Sequence, residues 1–270
     1  MSEKSELSPA VGKPFIEHLE ELRIVLLKSA LVLLVTTAVS FIFAPKIIQF
    51  LVWPLERVVQ AKGGTLDAAG VLRTLRPTGG FLVGLKAAFL SGVIAALPFI
   101  LYFFGGFVIP GLTKRERKVI FPAFSFSVIL FIAGVSFCYF LILPFALKFF
   151  WGYSEGLGIR NEWIIENYIS FAVQFLVAFG LVFELPCLML ALVKVGVLTH
   201  RMLKEKRKWA VVAVFIIAAA VTPTPDMITQ VLVAVPMMLL YELCVWLAKW
   251  IESKDNRGLS LDVGDRGAIG

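Results

Sequence analysis

Residues 168–195 read YISFAVQFLVAFGLVFELPCLMLALVKV, with Glu184 and Lys194 as the only charged members. As a helix this run is roughly 42 Å long at about 1.5 Å per residue, more than enough to cross about 30 Å of hydrocarbon. Working outward, comparable apolar runs lie at about 24–44, 81–109, 119–143 and 227–250, and a shorter one at 209–221. The whole 270-residue chain is 59% hydrophobic and 17% charged, with a mean hydropathy of +0.87. Soluble domains sit near 45–50% apolar and 25% charged, so the composition excludes an ordinary soluble fold. The expected fold is all-α: a polytopic membrane protein with six transmembrane helices.

The connections carry the polar content. Residues 1–13 form a polar leader, followed from Pro14 by a short amphipathic stretch (Phe15, Leu19, Leu22, Leu26) that runs into the first span. That first span is expected to remain in the membrane rather than be removed as a signal peptide. Residues 45–80 form a long connection whose middle, Ile47 to Gln60, is expected to be an interfacial helix, and Pro54 reads as a turn residue. Pro144 is expected to stop the third span, leaving 145–167 as a second mixed connection. The run 209–221 is too short for a full bilayer, and Thr222-Pro-Thr-Pro-Asp226 turns the chain into the last span, with Asp226 as a helix cap. The organisation expected is a leader (1–13), a membrane domain (14–250) and a polar tail (251–270).

Charge sets orientation. The leader, the 110–118 and 194–208 loops and the tail carry 18 Lys and Arg; the opposite connections carry 8 with Lys86. Basic residues are retained on the cytoplasmic side, so both termini are expected there. The net charge of +7 is thereby a topology signal and no sign of nucleic-acid binding. Cys138, Cys187 and Cys244 fall inside apolar runs as packing residues, and no metal site, cofactor or catalytic motif is expected.

Two groups of residues stand out. A carboxylate within a span costs a few kcal/mol and faces a cavity or partner as a rule, so Glu184 reads as a polar floor or as a structural link between helices. Pro186 adds an unpaired carbonyl at Val182, and Gln230 is a second polar anchor. Glu21 precedes the first span and Glu116 follows the second, so antiparallel spans bring them to one end. Paired carboxylates suit a ligand with two guanidinium groups. From charge alone, the plainer reading is that Glu116 offsets Lys114, Arg115, Arg117 and Lys118, while Glu21 pairs with Arg23 or Lys28. Lys86 is a candidate partner for Asp226.

Five motifs in order carry a resemblance. Phe15-Ile-Glu-His-Leu-Glu-Glu-Leu-Arg23, Pro54, Phe107-Val-Ile-Pro-Gly-Leu-Thr-Lys-Arg-Glu-Arg117, Phe183-Glu-Leu-Pro186, and Thr222-Pro-Thr-Pro-Asp226 with Gln230 and Pro236 resemble the TatC family across about 14–250. The resemblance implies a cupped six-helix receptor, short in its fifth and sixth helices, in the bacterial cytoplasmic (inner) membrane. It implies binding of twin-arginine signal peptides of folded cargo by Glu21 and Glu116, with Arg23 and Phe107 shaping the site. It further implies docking of single-span TatA/TatB-type subunits at Glu184 and Gln230, structural roles for Pro54 and Asp226, self-association in a larger complex, and export driven by the proton motive force. The Thr-Pro-Thr-Pro-Asp turn is longer than the form common in the family. The alternative is a proton-coupled secondary transporter using Glu184, which requires internal repeats and further polar groups converging on it; no repeat is visible.

Overall fold

The computed structural model describes residues 15–61, 72–108, 114–159, 161–194, 196–222 and 227–266. Nine helices account for nearly all of these: α1 (Phe15–Ile42), α2 (Ala44–Ala61), α3 (Gly79–Val108), α4 (Lys114–Phe137), α5 (Leu143–Gly156), α6 (Ile165–Lys194), α7 (His200–Glu205), α8 (Arg207–Val221) and α9 (Met227–Arg266). A π-helical turn, Cys138–Ile142, joins α4 to α5. Two-residue strands β1 (Leu72–Arg73) and β2 (Trp163–Ile164) pair in parallel, clipping the two long connections together.

Five stretches are long and apolar enough to cross a membrane: Leu19–Ile42, Gly79–Phe107, Phe126–Gly156, Ile165–Lys194 and Met227–Ser253. The expected short fifth span is α8, whose 15 residues reach roughly 22 Å. The sixth is not short: α9 has 40 residues, and its apolar part, Met227–Ser253, alone has 27.

α6 is the central helix, burying twelve residues against α2, α3, α4 and α9. Without a hydrophobic driving force in lipid, such pairs rely on close approach at small residues. On α4 and α6 the arrangement is reciprocal. A Cβ on Gly180 would stand 2.6 Å from the Phe131 ring, and one on Gly134 would stand 2.6 Å from the Phe179 carbonyl and 2.7 Å from Phe183. Each glycine thus admits a phenylalanine of the other helix. α1 uses α3 in the same way: a Cβ on Gly92 would meet Thr37 Oγ1 at 2.3 Å, and the Thr36 hydroxyl reaches the Gly92 carbonyl at 3.0 Å.

Two prolines behave differently from the sequence expectation. Pro144 does not stop the third span, which runs on as α5 to Gly156 with proline in the first turn of that helix. The wide π turn immediately before it makes room for a residue that cannot donate to the preceding turn. Pro54 is not in a turn either; it is buried inside α2. Its missing N–H would orphan the carbonyl of Phe50, four residues back. The Tyr139 hydroxyl donates to that carbonyl at 2.6 Å, and Tyr168 does the same for Leu51 at 2.6 Å. α2 is therefore a packed helix, with Leu51, Leu55 and Val58 each 1% exposed, held by two tyrosines from α6 and the π turn.

Candidate functional site

The register of α1 on α3 places the first group of candidate residues. Thr36 and Thr37 lie against Gly92, while Phe41 meets Phe81 with ring centres 5.8 Å apart and would contact a Cβ on Gly84 at 3.5 Å. Moving forward along α1 is therefore moving backward along α3: the helices are antiparallel. From the Thr37–Gly92 crossing, Glu21 lies about 16 residues back along α1 and Phe107 about 15 on along α3, roughly 24 Å by helical rise in either case. The two fall level at the same end of the bundle. Glu21 and Phe107 are half-buried there, and Arg23 is exposed.

α4 begins at Lys114, six residues after the last residue of α3, so its first turn, which carries Glu116, belongs to that same end. The side chain of Glu116 lies outside the described residues. An acidic residue at a helix N-terminus is favoured by the helix dipole, which counters part of the surrounding Lys114, Arg115, Arg117 and Lys118 charge.

Glu184 sits ten residues before the end of α6, about 15 Å from that end and within the span. The Ser127 hydroxyl of α4 donates to its Oε2, so the carboxylate links α4 to α6. Its Oε1 is buried with no hydrogen-bond partner among the described residues. One oxygen is thus committed to the fold while the other retains its hydrogen-bonding capacity. The sequence reading offered the structural link and the polar floor as alternatives, and the geometry contains the elements of both. Ser127 was not singled out from sequence; a serine in an apolar span is too common a feature to signal its partner 57 residues away.

Gln230 does not meet Glu184. Its amide donates to the Phe215 carbonyl at 3.0 Å, tying the start of α9 to α8. Gln174 of α6 acts similarly, donating at 2.7 Å to the Val221 carbonyl at the end of α8, where helical donors run out. Asp226 lies outside the described residues, and so does the proposed Lys86–Asp226 pair as such. Lys86 donates to the Ser170 hydroxyl. Next to it Glu166 accepts from Thr74 at 2.6 Å, over Gly79, where a Cβ would strike the Glu166 carboxylate. This polar knot fastens the start of α3 to the start of α6, and sequence spacing carried no signal for it.

At the Glu21 end, α7 and the start of α8 are docked on α9. The Tyr241 hydroxyl donates to the Leu203 carbonyl at 2.6 Å, Arg207 pairs with Glu242 at 2.7 Å, and the His200 amide donates to Glu252 at 2.6 Å. The basic loop is held as part of the bundle. Among the described residues no cluster of His, Cys, Asp and Glu could hold a metal ion.

Comparison with known proteins places this arrangement. The family model described as Sec-independent protein translocase protein (TatC) matches residues 17–236. A relative from Akkermansia muciniphila, a Sec-independent protein translocase protein TatC, is 44% identical over 197 residues, covering 73% of this chain and 57% of the relative. The corresponding protein of Carboxydothermus hydrogenoformans is 37% identical over 243 residues, covering 90% of this chain and 95% of that one. A crystal structure of the twin-arginine translocase receptor TatC in DDM superposes with a TM-score of 0.75 at 36% identity, over 86% of this chain and 99% of the other.

Proposed function

Because the chain belongs to the TatC family of Sec-independent protein translocase proteins, we propose that it is the receptor subunit that binds twin-arginine signal peptides of folded proteins. In this reading Glu21 and Glu116 accept the arginine pair. A guanidinium offers a planar fork of donors and a carboxylate two acceptor oxygens, so each arginine makes a two-pronged, charge-assisted contact that lysine cannot reproduce. Arg23 and Phe107 bound the site: one limits how many cations it admits, the other supplies an apolar wall. The observation that carries the reading is the antiparallel register that brings Glu21 level with Phe107, seven residues before the start of the helix that bears Glu116.

Glu184 and Gln230 are then the polar groups against which single-span TatA/TatB-type subunits dock within a larger, self-associating complex, driven by the proton motive force. Two observations support a docking role for Glu184: its depth in α6 and its one oxygen without a partner among the described residues. Pro54 and Asp226 act as architectural residues. The membrane is the bacterial inner membrane with both termini cytoplasmic, supported by the excess of Lys and Arg on that side. The transporter alternative is not favoured: Ser127 is the group hydrogen-bonded to Glu184, and no converging set of polar side chains surrounds it among the described residues.

Export tests the reading. A folded reporter carrying a twin-arginine signal is followed in cells whose only TatC is this chain. Glu21→Ala and Glu116→Ala are expected to abolish export while leaving the protein in the membrane at wild-type levels. Undiminished export by both variants refutes the site.

A further inference from the structure

At the end of the bundle opposite Glu21, a cavity of about 550 Å³ opens between α2 and the segment that joins the π turn to α5. Trp53, Pro54 and Arg57 form one wall; Phe140, Pro144 and Lys148 form the other. Two cations therefore line one space, and Arg57 is held in place. Its guanidinium stands 4.0 Å over the Trp53 ring, Trp53 stacks on Tyr139 at 6.0 Å, and Tyr139 stacks on Phe50 at 4.2 Å. The spacing Phe50, Trp53, Arg57 puts all three on one face of α2, and Pro54 between them is what directs the Tyr139 hydroxyl to Phe50.

Among the described residues neither cation is in an ion pair. The ion pairs among the described residues are Arg73–Glu162, Arg201–Glu205 and Arg207–Glu242, and none includes Arg57 or Lys148. Phe140, which lines the cavity, is 58% exposed, and Phe145, next in the chain to the lining residue Pro144, is 59% exposed, both on an apolar candidate span. A cavity lined by two cations that form no ion pair among the described residues, with exposed aromatic surface next to it, matches one ligand chemistry: a phosphate attached to acyl chains.

We propose that this cavity binds the headgroup phosphate of an anionic phospholipid, with Arg57 and Lys148 as its donors and the acyl chains along Phe140 and Phe145. Arginine supplies a fork to two phosphate oxygens and lysine a point charge. The site selects against a choline headgroup on two counts. The quaternary ammonium finds two like charges and, among the described lining residues, no carboxylate, and the Trp53 face that could receive it is already covered by Arg57. A lipid held here bridges α2 to α5.

The test uses the full chain in detergent, with phosphatidylglycerol, phosphatidylcholine or inorganic phosphate added. Bound lipid is counted by native mass spectrometry and stability followed by thermal unfolding. Wild type and Lys46→Gln, a charge loss on α2 outside the cavity, are expected to retain phosphatidylglycerol over phosphatidylcholine and to unfold at higher temperature with it. Arg57→Gln/Lys148→Gln is expected to bind it at least about tenfold more weakly. Should that variant fail to fold, Lys148→Gln alone, at an exposed position, carries the same comparison. Equal binding of the two lipids, or a preference unchanged in the cavity variants, overturns the proposal. Stabilisation by inorganic phosphate as large as by phosphatidylglycerol overturns its lipid part and leaves a free-phosphate site.

Discussion

Replacing Gly134 with alanine tests how closely α4 and α6 approach. The new Cβ would stand 2.6 Å from the Phe179 carbonyl oxygen and 2.7 and 2.8 Å from Phe183 side-chain atoms. A carbonyl in a helix cannot rotate away, so the helices must separate by about 0.6–0.8 Å to restore contact distance. A radial gap of 0.5–1 Å forfeits roughly a quarter to a half of each dispersion contact, and overpacking costs about 1–3 kcal/mol. Two hard neighbours put Gly134→Ala near about 3 kcal/mol; the gain in helix propensity returns about 1 kcal/mol, for a net loss near 2 kcal/mol. At about 2–4 °C per kcal/mol, apparent unfolding in detergent falls by about 4–8 °C. A thiol-reactive dye reads this directly, since Cys138 and Cys244 are buried. Gly152→Ala, where a Cβ meets nothing within 4 Å, is the control and is expected to be neutral or slightly stabilised. If Gly134→Ala unfolds with Gly152→Ala, the close α4–α6 contact is refuted.

Tyr139→Phe leaves the Phe50 carbonyl without a donor and is expected to cost about 1–3 kcal/mol, seen as a lower unfolding temperature. In a Pro54→Ala background, which restores the backbone N–H, that loss should shrink to under about 0.5 kcal/mol; an undiminished loss contradicts the account of Pro54. A double-mutant cycle of Ser127→Ala with Glu184→Gln should show coupling of about 0.6–1.7 kcal/mol, the range for hydrogen bonds between membrane helices, whereas additive effects would remove the α4–α6 link. Arg207→Ala breaks an exposed pair with Glu242 and should change stability by less than about 1 kcal/mol; a larger loss would mean that α7 and α8 depend on it.

The spans were legible because lipid imposes a one-dimensional rule: a helix crosses where an apolar run is long enough. Tyr168–Val195 became Ile165–Lys194 and Phe81–Ile109 became Gly79–Val108, shifts of a few residues. What sequence did not show was long-range. Pro54 and Pro144 read as breaks because the groups that accommodate them, the Tyr139 hydroxyl and the π turn, are supplied by tertiary context. Ser127 for Glu184, and Ser170 for Lys86, are partners only once α4 meets α6 and α3 meets α6. The Glu21 end was foreseeable from alternation of spans, and the register of α1 on α3 adds that Phe107 falls at about the depth of Glu21.

The central claim is that an arginine pair is recognised by Glu21 and Glu116. The measurement that meets it most directly is binding of a twin-arginine signal peptide and its twin-lysine counterpart to the purified chain in nanodiscs, for wild type, Glu21→Ala and Glu116→Ala. Loss of one charge-assisted contact is worth about 1.5–3 kcal/mol, or roughly tenfold to a hundredfold in Kd. The account predicts that the arginine peptide binds more tightly to wild type and that each alanine variant erases the preference. Binding indifferent to arginine against lysine, or a preference that survives in both variants, contradicts it.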